Sequence, residues 1–312
     1  MKARHLIILT ILTLIVQNLA IGQTSGFQYF YHPEYFNDSI IKEKKIKKIS
    51  VTSYWTRPKG EIYQDNINIY TFNELGDLLC SESFYYKETD PKIITQQTID
   101  CYEYKNGLQI RHLRYHNNKD SAEWVEEFEY VQDKNGNIAK IIVKDLSYPH
   151  NSNTTEKIYD SKNRIITEKT DFGYLTEYRY DSKGNLIERI WGDKDGQRNR
   201  NVYTYDSAGN LIKYEFKGAP FDNYDTVKEI NKYDSQGRII LKESVSAENA
   251  KSQTRYTYEG KNIIRTEFIN QNGEVFSTTT KNFSNGLIQS EITARNGIVH
   301  SKEIYEYELN KN

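Results

Sequence analysis

The 312-residue sequence predicts an all-β fold: an elongated, twisted antiparallel β-meander, an open sheet of repeated hairpins that rolls in part. Three observations predict it. The stretches YRYDSKGNLIERIW (178–191) and YTYDSAGNLIKYEF (203–216) are near copies, and looser copies run from residue 70 to the last residues. Inside each copy apolar and polar residues alternate, the period of a half-buried strand, before a polar turn ending in glycine. The hydrophobic fraction is 37% and includes 26 tyrosines, so aliphatic side chains are too few for a thick core and a thin sheet fits better.

The chain opens with Lys2, Arg4 and His5, an apolar run from Leu6 to Val16, and small residues at Ala20 and Gly22. That order is a cleavable signal peptide over residues 1–22, because the run is shorter than the ~20 residues of a spanning helix. No later stretch is apolar for long enough to span, which predicts a secreted or periplasmic protein without an integral membrane segment after cleavage. Lys and Arg number 42 against 43 Asp and Glu, so no overall field draws in nucleic acid.

Residues 23–50 read as an N-terminal capping segment. It holds an aromatic cluster (Phe27, Tyr29, Phe30, Tyr31, Tyr35, Phe36) and a short helix beginning at Asn37 or Asp38, expected to cover the first strand's open edge. The basic run 42–48 reads as a solvated face beside buried isoleucines. The sheet domain follows over residues 51–312.

The repeat can be read atom by atom. Tyr178 and Tyr180 share one strand face and Arg179 takes the other. Asp181 begins the turn, Gly184 adopts the left-handed conformation of a type I turn with a bulge, and Tyr180 then meets Leu186 across the hairpin. The aromatic recurs at Phe72, Tyr104, Tyr130, Tyr159, Tyr180, Tyr205, Tyr233, Tyr258, Phe283 and Tyr307 in steps of about 21 to 32 residues, room for two strands and two turns. Asn106-Gly107 and Asn285-Gly286 read as two-residue type I′ turns. Returns at the other edge vary (192–197, 217–225, 246–253), so one edge is uniform and the other decorated. The tyrosines are expected to pack as a ladder with their hydroxyls reaching solvent.

Cys80 and Cys101 face each other if the chain folds back at Asp90-Pro91, and export supplies oxidising conditions for a bridge. A one-residue error in that turn sends them to opposite faces as two buried thiols, so both readings stay open.

The residues YRYDSKGNL, VYTYDSAGNL, NKYDSQGRI and KIYDSKNRI resemble the YD-repeat, or Rhs-type, family over roughly residues 60 to 310. The resemblance implies an antiparallel hairpin array, secretion, and a role at the cell envelope or against other surfaces. Long members wind such hairpins into a shell, some around a toxin released at an aspartyl motif. No such motif is read in these residues and no additional C-terminal domain is expected, so the toxin role is not carried over.

A search for chemistry returns little. His112 and His116 share a strand face with Arg114 between them, a poor metal site, and read as surface histidines. Asp193 and Asp195 in GDKDG echo a calcium loop but lack its closing glutamate, so the stretch reads as a plain turn. No catalytic set, metal site or cofactor motif is found, and none is expected. The sequence therefore predicts a non-enzymatic exported repeat protein offering an interaction or structural surface at the envelope. Its partner would be an envelope protein or polysaccharide. The alternatives are a carbohydrate-binding module built on tyrosine platforms and, behind it, a hydrolase of envelope polymers. Trp191, Tyr214 and Tyr224, near the decorated edge, are the candidate contact residues.

Overall fold

The computed structural model describes residues 38–57, 60–117, 120–193, 196, 198–218, 227–246 and 250–310. The expected signal peptide and aromatic cluster therefore lie outside the described residues. A short helix α1 (Asp38–Glu43) leads into the strands β1 (Ile46–Thr56), β2 (Ile62–Phe72), β3 (Leu78–Lys87), β4 (Asp90–Lys105) and β5 (Leu108–His116). Then come β6 (Trp124–Gln132), β7 (Ile138–Asp145), β8 (Asn153–Tyr159), β9 (Ile165–Thr170), β10 (Tyr174–Tyr180), β11 (Leu186–Asp193) and β12 (Arg198–Tyr205). The series ends with β13 (Leu211–Lys217), β14 (Val227–Tyr233), β15 (Ile239–Val245), β16 (Lys251–Glu259), β17 (Asn262–Ile269), β18 (Val275–Ser284), β19 (Leu287–Arg295) and β20 (Ile298–Leu309).

Every strand pairs antiparallel with the next, and β20 pairs with β1 through partners such as Tyr305 and Val51. The 20-stranded sheet is thus a closed up-and-down barrel rather than the open meander that the sequence suggested. The physical reason lies in accumulated register. Following directly facing residues once round the ring returns to β1 displaced by about 22 residues, which tilts the strands by roughly 40° and gives a circular ring a backbone radius of roughly 18 Å. Side chains of about 5–6 Å on each side leave a bore of roughly 25 Å. Among the described strands, backbones approach only ring neighbours, apart from β2 and β4, which lie close across β3.

The uniform edge is built by one turn. In the copy at 181–185 the Asp181 N–H donates to the Asn185 carbonyl (2.9 Å) and the Gly184 N–H to the Asp181 carbonyl (3.1 Å), with Gly184 at φ 95°. The Asp181 carboxylate accepts the Asn185 N–H at 2.8 Å and its side-chain amide at 2.9 Å. The same turn recurs at Asp133, Asp160, Asp206 and Asp234, with Asn163 in the glycine's place at Asp160 and the guanidinium of Arg164 or Arg238 in place of the side-chain amide at Asp160 and Asp234. These bonds hold each carboxyl below its ordinary range; at Asp206 the side-chain bond from Asn210 is the largest cause.

The recurring tyrosines then tie hairpin to hairpin. The hydroxyls of Tyr130, Tyr159, Tyr180, Tyr205, Tyr233, Tyr258 and Tyr307 donate to backbone carbonyls of the preceding hairpin, at 2.7–2.8 Å. Their hydroxyls do not reach solvent as expected, because the tilt sets each ring over the first or second residue of the neighbouring strand. Burial pushes the phenols of Tyr130, Tyr180 and Tyr205 up to about 12.

Two further expectations change. The first strand has no open edge to cover, since β2 and β20 flank it, and it begins at Ile46, inside the segment read as a cap. Helix α1 lies on a face of the sheet instead, its Ile41 packed with Ile46, Ile49, Phe72 and Leu78, and the Lys42 stem passes over Gly76, where a Cβ would sit 2.8 Å from it. The β3–β4 hairpin folds back at Glu88-Thr89 rather than Asp90-Pro91. Two bulges restore the register in which Cys80 faces Cys101, and the two are joined by a disulfide.

Candidate functional site

Alternation along each strand gives the ring two faces, and they differ in kind. Nearly all buried strand side chains, from Ile49, Tyr70 and Tyr102 to Thr176, Asn201, Thr266 and Tyr305, fall on one face; Ile99, Glu188 and Ile269 are the exceptions. Side chains pointing into a closed ring converge, so the buried face is the concave one. All three tryptophans, Trp55, Trp124 and Trp191, share it. The convex face instead carries ion pairs along the strands: Arg179–Glu188 (2.9 Å), Arg198–Glu177 (2.9 Å), Lys232–Glu243 (3.0 Å), Arg255–Glu267 (2.9 Å) and Lys144–Glu129.

Two clusters stand out inside. On β4–β6 the His112 ring bridges two acids, with Nε2 2.8 Å from Asp100 and Nδ1 3.1 Å from Glu126, and Arg114 Nε donates to Asp100 at 2.7 Å. Tyr102 stacks on the imidazole at 4.9 Å and Trp124 meets it edge-on at 5.5 Å. His112 is 2% exposed, a correction to its reading as a surface histidine. The registers of β4, β5 and β6 place Asp100, His112 and Glu126 on one face, so the acids satisfy the ring on both sides. Burial pulls the imidazole pKa down, but Asp100 and Glu126 outweigh it and the net direction is up. Burial likewise pushes Asp100 up, and His112 with Arg114 brings it below its ordinary value. This network holds the wall together. Its atoms are engaged with one another, and among the described residues no group of His, Cys, Asp and Glu is arranged to hold a metal ion. Asp193 ends β11, while Asp195 lies outside the described residues.

The second cluster spans β10–β13 and contains two of the three residues expected from the sequence. Trp191 lies 5.9 Å from Phe216 at an interplanar angle of 32°, and Tyr214 lies 5.6 Å from Tyr203. The Tyr214 hydroxyl donates to the Asn201 side-chain carbonyl at 2.9 Å, and the Asn201 amide donates to the Tyr203 hydroxyl at 3.2 Å. Arg189 sits over the rings of Trp191 (5.0 Å) and Tyr178 (5.9 Å). Tyr224 lies outside the described residues. Arg189, Asn201, Tyr203 and Phe216 were missed by the sequence reading; the signal that finds them is same-face spacing, at 189 and 191, 201 and 203, 214 and 216. Chemically the cluster offers flat rings, amide and phenol hydrogen-bonding groups, and one cation.

The described residues thus define a closed antiparallel barrel with a charged outer face and an aromatic, hydrogen-bonding bore. No family model matches the chain, and no curated protein matches it. Among solved structures it is similar to a porin-like protein from Bacteroides uniformis, at 10% identity over 85% of this chain and 97% of that one, with a TM-score of 0.36. A Tc holotoxin pore structure of Photorhabdus luminescens matches at 14% identity over 78% of this chain and 16% of that chain, with a TM-score of 0.35. A porin-like protein from Bacteroides vulgatus matches at 10% identity over 86% and 99% of the two chains, with a TM-score of 0.26. At these scores the likenesses carry no argument about function.

Proposed function

We propose that this chain is an exported, non-enzymatic binding protein of the cell envelope, and that its interaction surface is the bore, which takes carbohydrate. One observation carries the reading: all three tryptophans and the recurring tyrosines gather on the concave face, with buried Asn201 and Asn231 and internal ion pairs such as Lys157–Glu168 among them, while ion pairs line the convex face. Flat aromatic faces with adjacent hydrogen-bond donors and acceptors suit the apolar faces and hydroxyls of sugar rings. A bore of roughly 25 Å is wide enough for a polysaccharide strand. The hairpin array and the Tyr-Asp turns fit the YD-repeat resemblance, and the basic, apolar and small residues at the start of the chain support export.

The outer face argues against lipid contact. A transmembrane barrel turns an apolar band about 25 Å tall outward. Here Glu188, Glu243 and Glu267 lie within strands on that face, each met by a basic partner. The test has two arms. The chain from residue 23 onward is screened on a glycan array and, separately, mixed with phospholipid vesicles and floated on a density gradient. The proposal expects saturable binding to at least one polysaccharide and recovery away from the vesicles. Absence of any glycan binding, or insertion into vesicles in a protease-resistant form, overturns it.

A further inference from the structure

We propose that Arg189 and the rings beside it form a subsite for a carboxylate-bearing sugar, a uronic-acid unit of a glycan held in the bore. This rests on the carbohydrate reading above and names the class of sugar. The argument begins with a comparison among arginines that lie over aromatic rings. Arg57 over Tyr63 also bonds Glu61 and Glu88; Arg114 over Trp124 bonds Asp100. Arg164 over Tyr180 bonds Asp160, and Arg238 over Tyr258 bonds Asp234. Arg189 has the rings and lacks the acid: no carboxylate pairs with it among the described residues, and its Nε is buried without a hydrogen-bond partner.

The acids on the same face near it are committed elsewhere or stand at the strand end. Glu168 is held by Lys157 at 3.2 Å and by the Tyr178 hydroxyl, Glu229 by Lys242 at 3.3 Å, and Asp193 faces Tyr174 at the end of β11. The positive field of Arg189 is felt at Tyr174, Tyr178, Tyr203 and Tyr214, where it opposes the upward push of burial on the phenols. A planar guanidinium grips a carboxylate through two parallel bonds, and with Nε buried the edge that Arg189 presents is its two terminal nitrogens, which meet no acid among the described residues. Beside it, the Trp191–Phe216 pair supplies a platform for a pyranose ring, and buried Asn201 with its two phenol partners supplies polar groups for hydroxyls. Cation, platform and polar groups together match a uronate better than a neutral sugar, which would leave the guanidinium unpaired.

The test is calorimetric titration of the intact chain with oligogalacturonate, with its methyl ester, and with a neutral cello-oligosaccharide of equal length. Variants are Arg189→Gln, Arg189→Lys and, as a control on the outer face, Arg179→Gln. The acidic oligomer is expected to bind at least tenfold more tightly than its ester, and Arg189→Gln to erase about tenfold of that preference, because a charge-assisted pair is worth that much. Arg189→Lys retains part of it and Arg179→Gln all of it. Should Arg189→Gln fail to fold, the ester comparison on the native protein tests the same contact from the ligand side. Equal binding of acid, ester and neutral oligomers, or an unchanged preference in Arg189→Gln, overturns the uronate subsite but not the carbohydrate reading. Binding of no oligosaccharide at all overturns both.

Discussion

Replacing Tyr205 by Phe tests whether the tyrosines hold hairpins together through their hydroxyls or merely fill space. The ring stays and the substitution opens no cavity; what is lost is the bond from the phenol to the Leu186 carbonyl, 2.8 Å long and linking β12 to the preceding hairpin. A neutral hydrogen bond of this kind contributes about 0.5–1.5 kcal/mol. Tyr159, Tyr205 and Tyr258 sit on β8, β12 and β16, roughly 19 Å apart along the wall, so the three Phe substitutions are expected to add to about 1.5–4.5 kcal/mol. The assay is urea unfolding followed by circular dichroism, with the slope expected to stay constant while the midpoint falls. A companion measurement is phenolate absorbance. Burial pushes the Tyr205 phenol up to about 12, so the protonated phenol stabilises the fold fully below the unfolded value near 10. That stabilisation is lost as pH rises from about 10 through 12, and alkaline unfolding is expected there. A triple variant losing less than about 0.5 kcal/mol would refute the latch and leave the rings as packing alone.

Three further outcomes follow from the wall. His112→Gln leaves buried Glu126 without a cation and Asp100 with Arg114 alone, and should cost about 3–5 kcal/mol near pH 5–6. Because the His112 pKa is raised, its contribution is complete below about 6.5 and fades as pH rises through the folded value, so melting curves of the variant and the native chain should converge at alkaline pH. Asp206→Ala should lower the unfolding midpoint at neutral pH. The depressed carboxyl stabilises only above the ordinary carboxylate pKa, so the difference should vanish on acidification through the folded value. Reducing Cys80–Cys101, which spans 21 residues, should cost about 3 kcal/mol by loop entropy, read as a shift in urea midpoint with and without reductant.

What was legible in the sequence is what a hairpin decides locally. Asp181, Gly184 and Asn185 form a turn whose every bond lies within five residues, and Tyr180 opposite Leu186 follows from counting across it. The pairing of Cys80 with Cys101 shows how such counting can reach the right partner through the wrong turn. The chain reverses two residues earlier than expected, and bulges at Tyr85/Tyr86 and Tyr86/Lys87 make up the difference. His112 was misread for a different reason. Its partners Asp100 and Glu126 stand on two other strands, and no property of RHLRYH reveals that both acids converge on its ring. Arg189 was missed likewise, since its lack of an acid is a fact about three neighbouring strands.

Closure belongs to a scale that no single repeat displays. Each hairpin adds a small register offset, close to one residue per strand, and only the sum over the whole ring decides whether the last strand meets the first. An open sheet with this sequence would expose two edges of 11 and 12 residues, β1 and β20, each a template for pairing with another chain. Joining them removes both hazards at once and gives the alternating strands an inside and an outside. From that point the same Tyr-polar alternation that looked like a ladder with one covered face becomes a division of chemistry. Rings crowd into the bore with a few buried ion pairs such as Lys157–Glu168, and rows of ion pairs spread over the exterior. The site on β10–β13 exists only because of this division: Trp191 comes from one hairpin, Tyr203 and Tyr214 face each other on the next, and curvature turns them toward one another around the guanidinium of Arg189.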